Sequence, residues 1–200
     1  MRARIYDAAI VHLTAGWYRT VLSRLPVGCR LLDVGIGTGS ALLANAALLA
    51  ARDLHVTGVD IDADYVARCR AAVAARELGA RVAVRHESVT DHRGGPYDAV
   101  YFSASFMLLP DPAAALRHVG TLLAPGGQVW FTQTFEHRRS RAVEVVKPLL
   151  RRVTTIDFGR VTYEDDFRRA VAAGGMTLQE LEVFEPGRRR SSVLAIARPQ

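Results

Sequence analysis

Three glycines, each two residues from the next, follow a short apolar run and could bring the backbone close to a ligand. Residues Leu31 to Ser40 read LLDVGIGTGS, which is typical of a buried strand, a tight turn and the start of a helix. Gly35, Gly37 and Gly39 place no Cβ atom in that turn. The first N–H groups of the following helix have no partner inside the helix. The pattern therefore predicts a pocket for a nucleotide-like ligand.

Two acids near these glycines indicate which ligand the pocket takes. A second apolar run ends at Asp60, about 20 residues on, where open α/β folds place a carboxylate that binds both ribose hydroxyls. Asp33, just before the turn, is a poor neighbour for a pyrophosphate and a good one for an ammonium group. A dinucleotide fold would also need glycine where the chain has Ser40. These residues favour an adenosyl amino acid over a dinucleotide.

With these residues the sequence resembles the class I S-adenosylmethionine (SAM)-dependent methyltransferases, over Leu31 to Arg198. The resemblance implies that Asp33 and the three glycines hold the methionine part of SAM, and that Ile61 contacts the adenine ring. Residues 103–116, SASFMLLPDPAAAL, resemble the strand-four region of the small-molecule branch typified by ubiquinone and menaquinone C-methyltransferases. The expected reaction moves a methyl group from SAM to a small-molecule or lipid-like acceptor.

The resemblance also implies contacts after the third and fourth predicted strands. Relatives usually carry an acid after strand three that contacts the adenine amino group. In this chain the register does not decide among Glu87, Ser88 and Asp91 for that position. Ser88 is included among the predicted cofactor contacts. Ser103 ends strand four and is expected beside the methyl donor, where Ser103, Ala104 and Ser105 would leave room. Residues 106–108 (Phe, Met, Leu) would either wall a substrate pocket or pack the following helix.

The N-terminal segment has apolar residues at helical spacing, which predicts one helix or two with a break near Gly16. Family members carry such helices across the cofactor pocket. The single domain of residues 1–200 is therefore expected to have a helical lid, 1–28, on a core, 29–200. Candidate contacts to cofactor or substrate are Tyr6, Trp17, Tyr18 and Arg19, with Tyr6 assigned to the cofactor. The alternative is that these aromatic residues belong to the core.

Apolar strands alternate with helical stretches, which predicts an α/β fold. The resemblance makes it a Rossmann-like three-layer sandwich with a seven-stranded, mostly parallel sheet and an antiparallel C-terminal strand. The helix after the glycines is expected to run through ALLANAALLAAR, and the next is expected to begin at Asp62 or Asp64 and to end at Gly79.

Catalytic groups are less apparent, because methyl transfer is an in-line displacement that mainly requires proximity and orientation. A general base matters only where the acceptor must lose a proton. Glu136 and His137 follow the fifth predicted strand and are candidates for a base or a substrate anchor, the alternative being surface residues. Cys29 and Cys69 are too few for a disulfide framework or zinc site and are expected to be buried thiols. No metal site is predicted.

Composition limits the acceptor and the location. The net charge of +6 comes almost entirely from arginine, since Lys147 is the only lysine, and this excludes a catalytic tetrad with two lysines as in many RNA ribose methyltransferases. The base-amino Asn/Asp-Pro-Pro-Tyr/Phe motif and a cysteine after strands four or five are also absent, so nucleic acid is disfavoured. Without an 18-residue apolar run the expected location is the cytoplasm, with peripheral membrane contact left open. The sequence indicates no oligomeric state.

Alternatives to the small-molecule enzyme are a protein side-chain methyltransferase, a non-catalytic SAM-binding partner module and an aminopropyltransferase that uses decarboxylated SAM. Asp33 weighs against the last of these. Surface arginines could meet phosphate, carboxylate or anionic lipid, or could simply be solvated. They form three clusters: Arg138, Arg139 and Arg141; Arg151 and Arg152; and Arg188, Arg189 and Arg190.

Overall fold

The computed structural model of the chain describes residues 14–137 and 162–200. Within these ranges the strands are β1 (Arg30–Val34), β2 (His55–Asp60), β3 (Val82–His86), β4 (Tyr97–Ser103), β5 (Leu123–Glu136), β6 (Met176–Glu185) and β7 (Arg190–Pro199). The helices are α1 (residues 14–24), α2 (Ser40–Leu43), α3 (Ala46–Ala51), α4 (Ala63–Ala75), α5 (Pro112–Leu122) and α6 (Glu164–Ala173), with a 3-10 turn at Phe106–Leu108.

The strands form one seven-stranded sheet in the order β3-β2-β1-β4-β5-β7-β6. Strands β1 to β5 pair in parallel, whereas β7 is antiparallel to both β5 and β6. Most residues of the central strands β1 and β4 are apolar and buried, as expected for parallel strands covered on both faces. This confirms the predicted mostly parallel sheet with an antiparallel C-terminal strand.

Alternate residues of each central strand point to opposite faces of the sheet and build two cores. Helices α1 to α4 pack on one face, against residues such as Leu31, Tyr101 and Trp130. Helices α5 and α6 pack on the other, against Leu32 and Phe102 among others. The two helical layers and the sheet form the predicted three-layer sandwich.

The stretch after the glycine turn is two short helices rather than the single predicted helix. The break lies at Asn45, whose buried side-chain amide donates to the carbonyl oxygens of Ala41 and Ala15, both at 3.0 Å. The amide thereby ties α1 to the residues behind the glycine turn. Because α2 has only four residues, its dipole gives little support to a bound anion.

Helix α4 begins where one of the two predicted N-caps lies and ends earlier than predicted. The Asp62 carboxylate accepts a hydrogen bond from the N–H of Tyr65, so Asp62 is the N-cap. The helix ends at Ala75, and Glu77 takes the left-handed conformation, with φ 55°. Gly79, predicted as the C-cap, therefore lies beyond the helix end, and that prediction was wrong.

Candidate functional site

The carboxyl ends of β1, β2 and β4 meet where the strand order reverses, because β1 lies between β2 and β4. Val34 at the end of β1 is opposite Val59 of β2 and Phe102 of β4. In open parallel sheets, ligands bind in the crevice that forms outside such a switch point. The glycine turn follows β1 at this place. We refer to the space bordered by the turn, Asp60 and Ser103 as the crevice.

All three glycines of the turn have positive φ, at 79°, 58° and 71° for Gly35, Gly37 and Gly39. A Cβ on Gly35 would lie 2.8 Å from Cβ of Ser105, and one on Gly39 would lie 2.5 Å from Sγ of Cys69. At Gly37 a Cβ would meet no atom within 4 Å. Gly35 and Gly39 are therefore required by packing within the protein, whereas Gly37 borders open space.

Gly39→Ala is expected to reduce the free energy of unfolding by about 2–5 kcal/mol. The left-handed conformation costs an L-residue roughly 1–2 kcal/mol and an overlap in a packed core roughly 1–3 kcal/mol. Gly37→Ala is the matched control, since it bears the cost of the left-handed conformation while its Cβ would overlap no atom. Urea denaturation measures both variants.

Adding Cys69→Ala to the Gly39→Ala variant removes the sulfur that the new Cβ would meet. This second change should recover part of the lost stability. Equal destabilisation by Gly37→Ala and Gly39→Ala, with no recovery, would contradict the packing argument.

The Asp60 carboxylate at the end of β2 holds the glycine turn and the start of α4. Its Oδ2 accepts from the N–H of Gly37 at 2.8 Å, and its Oδ1 accepts from the N–H of Asp62 at 2.9 Å. Each carboxylate oxygen has a further lone pair. Asp60 is half-buried, so those lone pairs remain available to a ligand in the crevice.

Asp33 lies beneath the turn and is fully buried. The hydroxyl of Tyr18 donates to its Oδ2 at 2.8 Å, while its Oδ1 has no hydrogen-bond partner among the residues that the structure describes. Burial raises the pKa of Asp33 to about 7, with the charge of Asp60 adding to the shift and the Tyr18 hydrogen bond opposing it. Asp33 is therefore a buried carboxyl group with one oxygen that lacks a donor.

Residues predicted on the adenine side lie at the ends of β2 and β3. Ile61 is 75% exposed although it is a large apolar residue, and its carbonyl oxygen accepts from Nε2 of His86 at 3.0 Å. Ser88 Oγ lies 2.9 Å from Thr90 Oγ1 and accepts from the Thr90 N–H. The side chain of Ser88 is thus engaged in its own turn, and the apolar surface of Ile61 is free.

Glu87, His92 and Tyr97 form a hydrogen-bonded chain that the sequence does not predict, in which Glu87 is half-buried and the other two are buried. Nδ1 of His92 donates to Oε1 of Glu87 at 2.7 Å, and Nε2 lies 2.8 Å from the Tyr97 hydroxyl. Gly94 is needed here because a Cβ would lie 2.5 Å from Nε2 of His92. The chain fixes the loop between β3 and β4. Asp91, the third adenine candidate, is exposed.

The residues after β4 differ in their roles. Ser103 is half-buried at the crevice, and Ala104 has φ 55°, an unusual conformation for alanine. Ser105 Oγ donates to the carbonyl oxygen of Val34, so Ser105 supports the glycine turn instead of leaving room for a substrate. Phe106 is buried among the phenylalanines of the second core, the one covered by α5 and α6. This agrees with the alternative that the residue packs beneath the following helix.

Leu108, in contrast, is 49% exposed and is the residue of the 106–108 group that a substrate could contact. Met107 is half-buried against the second core.

The candidate base residues lie further along the sheet than the crevice. Thr132 of β5 is opposite Ser103, and Glu136 lies four residues beyond it, a separation of about 13 Å along a strand. Glu136 is half-buried, while Nε2 of His137 lies 2.8 Å from Oγ of Ser191 on β7. The structure does not bring either residue into contact with Asp33 or Asp60.

Of the N-terminal candidates, Trp17 and Tyr18 are core residues, and α1 is one helix through Gly16. Nε1 of Trp17 donates to Glu185 at 3.4 Å, and Arg19 is exposed. Tyr6 lies outside the described residues, as do the two arginine clusters within 138–152.

Cys29 and Cys69 are free and buried, as predicted, and Arg188, Arg189 and Arg190 are exposed. Among residues 14–137 and 162–200, no cluster of potential metal ligands is present and no helix is long and apolar enough to cross a bilayer.

Comparison with known proteins identifies the family of the chain. Residues 32–129 match a family model described as a methyltransferase domain. A ubiquinone biosynthesis O-methyltransferase of Xanthomonas axonopodis pv. citri (strain 306) is 30% identical over 177 residues, covering 83% of this chain and 71% of the relative.

Two solved structures share the fold at low sequence identity. Geranyl diphosphate C-methyltransferase from Streptomyces coelicolor A3(2), solved with Mg²⁺, geranyl diphosphate and S-adenosyl-L-homocysteine, is 13% identical with a TM-score of 0.72, covering 94% of this chain and 77% of that one. The cyclase SpnF is 19% identical with a TM-score of 0.72, covering 92% and 81%. The chain belongs to the class I SAM-dependent methyltransferases, in the branch that methylates small molecules.

Proposed function

We propose that the crevice binds SAM through Asp33, the glycine turn, Asp60 and Ile61, and that the enzyme methylates a hydroxyl group of a small, lipid-like molecule. The observation that carries the binding mode is the buried Oδ1 of Asp33, which has no donor among the described residues. A buried acceptor without a donor is unfavourable by roughly 1–3 kcal/mol, and an ammonium group would satisfy it.

The remaining contacts follow from the same geometry. Gly37 has open space where a side chain would be, so the turn allows the methionine part to approach the backbone. The free lone pairs of Asp60 accept the two ribose hydroxyls, while its engaged lone pairs keep the turn in place. Ile61 offers an exposed apolar surface to the adenine ring.

For the adenine amino group we favour Glu87 over Ser88 and Asp91. Oε1 of Glu87 is fixed by His92, and Oε2 has no partner among the described residues. The hydroxyl of Ser88 is engaged with Thr90, so Ser88 contributes to the shape of the loop. Ser103 borders the crevice beside the position expected for the methyl donor.

Bound SAM supplies an electrophilic methyl group on a sulfonium. The chain then has to orient the acceptor in line with that methyl group and exclude water. A hydroxyl acceptor must also lose a proton, and Glu136 and His137 are the proposed base or anchor at the far end of β5. We propose that Leu108 and the lid predicted for residues 1–28 border the acceptor.

Support for a hydroxyl acceptor comes from two relatives that are 30% identical to the chain and are ubiquinone biosynthesis O-methyltransferases. Tyr6 remains a proposed cofactor contact, and peripheral membrane contact would suit a lipid-like acceptor. We also propose that the protein acts in the cytoplasm, because both described cysteines are free thiols, which suits a reducing compartment.

A labelled-methyl assay tests the proposed acceptor. Purified protein is incubated with methyl-labelled SAM and separate panels of phenols and quinols, amines, thiols, lipids and peptides. We expect product from the phenol and quinol panel, with the label lost when the aryl methyl ether is cleaved by boron tribromide. Product from peptides alone would favour the protein side-chain alternative, and no product with intact cofactor binding would favour a non-catalytic module.

A further inference from the structure

Tyr18 connects the first helix to the acid beneath the glycine turn. It lies on α1 and is only 3% exposed, with its hydroxyl 2.8 Å from Oδ2 of Asp33 on β1. Its ring packs edge-on against Tyr101 of β4, with centroids 5.0 Å apart and an interplanar angle of 85°. Three elements thus fix the direction of one buried hydroxyl.

Among residues 14–137 and 162–200, Tyr18 supplies the side-chain hydrogen bond to the carboxyl group of Asp33. The neighbouring Tyr101 has its hydroxyl 2.7 Å from Oγ1 of Thr132, which directs it away from the acid. A single O–H occupies one oxygen of the carboxyl group and leaves the other, Oδ1, without a donor among residues 14–137 and 162–200.

The charges around Asp33 favour an external cation. Among the described residues, the titratable groups that act on it are Asp60, Tyr18, Tyr101 and Cys69, and none of these carries a positive charge. The burial of the site and the negative charge of Asp60 disfavour ionisation of Asp33, whereas the hydrogen bond from Tyr18 favours it.

We infer that Tyr18 is a positioning residue for the amino group of the cofactor: it pins Oδ2 of Asp33 so that Oδ1, in ionised form, faces the ammonium group. Tyr18 acts through Asp33 and does not itself contact the cofactor. The inference rests on the proposed function, because it requires the amino acid part of SAM to bind at Asp33.

Tyr18→Phe keeps the ring that packs on Tyr101 and removes the hydroxyl. Its binding of S-adenosylhomocysteine is compared with that of 5′-methylthioadenosine, which has the same adenosine and thioether but no amino acid. We expect calorimetry at pH 7 to give a ~5- to 10-fold loss of affinity for S-adenosylhomocysteine and no change for 5′-methylthioadenosine. The loss should diminish as the pH is raised, because Asp33 then ionises without the help of Tyr18.

A double variant, Tyr18→Phe with Asp33→Asn, tests the route of the effect. Tyr18→Phe should have no further effect on S-adenosylhomocysteine binding once Asp33 is replaced. An equal loss of affinity for both ligands, or a loss that is the same at every pH, would make Tyr18 a packing residue and overturn the inference, as would unchanged affinity. Failure of the wild-type protein to bind either ligand would instead overturn the proposed function.

Discussion

Asp60→Ala is expected to weaken the binding of S-adenosylhomocysteine at least tenfold. The proposed ribose contacts are two charge-assisted hydrogen bonds, each worth roughly 1.5–3 kcal/mol. The change also releases the N–H groups of Gly37 and Asp62, which the carboxylate now holds at 2.8 Å and 2.9 Å. Isothermal titration calorimetry measures the affinity, and urea denaturation measures the accompanying loss of stability.

Asp98→Ala is the matched control. Asp98 also accepts from a backbone N–H, that of Arg30 at 2.8 Å, but at the amino-terminal ends of β4 and β1, opposite the crevice. The Asp98→Ala variant should be less stable than the wild type but should bind S-adenosylhomocysteine with the same affinity.

A second ligand separates the ribose contact from the support of the turn. The 2′-deoxy analogue of S-adenosylhomocysteine lacks one proposed partner of Asp60. It should bind wild-type protein more weakly than the parent ligand, and it should bind Asp60→Ala about as well as the parent does. A full 2′-hydroxyl effect in the variant would show that Asp60 supports the turn only.

The parts of the site that could be predicted from the sequence are those in which a residue acts on its own backbone neighbourhood. Gly35, Gly37 and Gly39 all need positive φ, and this requirement is visible in the spacing of glycines after an apolar run. The Asp62 N-cap is equally local, since its partner lies three residues away. Local rules of this kind also identified the seven strands.

Contacts between distant segments could not be predicted in the same way. The sequence predicts that Asn45 lies within a helix, since its hydrogen-bond partner, the carbonyl oxygen of Ala15, belongs to another helix and is not visible in the local pattern. Tyr18 was one of several aromatic residues at helical spacing, and nothing in its own segment indicated that it would reach Asp33. Helical spacing predicts that a side chain is buried and leaves its partner undetermined.

The role of Ser105 illustrates a third case, in which small size has two physical meanings. A run of small residues after β4 predicted open space beside a substrate. Ser105 instead fits beneath Gly35 and donates to Val34, so its size serves close packing of two backbone segments. The signal that could have found the His92 chain was the turn of glycines and proline between His92 and Tyr97, which holds the two rings close together.

Asp33→Asn is expected to flatten the pH dependence of stability and to abolish tight binding of the cofactor. The carboxyl pKa is about 7 in the folded protein against an ordinary value of 3.8. The folded state therefore binds a proton more tightly than the unfolded state between these values, and stability falls as pH rises through that window. Since one pKa unit corresponds to about 1.4 kcal/mol, the contribution of Asp33 is on the order of 4 kcal/mol.

The measurement is the free energy of unfolding from urea titrations at several pH values from 4 to 8, for the wild type and the variant. Other groups titrate in both proteins, so the difference between the two curves reports Asp33. Relative to the wild type, Asp33→Asn should gain stability from pH 4 to 7, offset by a constant loss of roughly 1–3 kcal/mol if its amide N–H finds no acceptor. A difference that is independent of pH would contradict the raised pKa.

Cofactor binding should favour the ionised form of Asp33, whereas folding without the cofactor favours its protonated form. An ammonium group at Oδ1 stabilises the ionised carboxylate, so binding near pH 6 is expected to release a proton, which calorimetry detects as a dependence of the binding enthalpy on the buffer. Asp33→Asn should show no such release and a weaker affinity. The acid that makes the free protein less stable at neutral pH would thus be the group that gives the crevice its preference for a cationic amino acid, a stability cost that binding of the cofactor offsets.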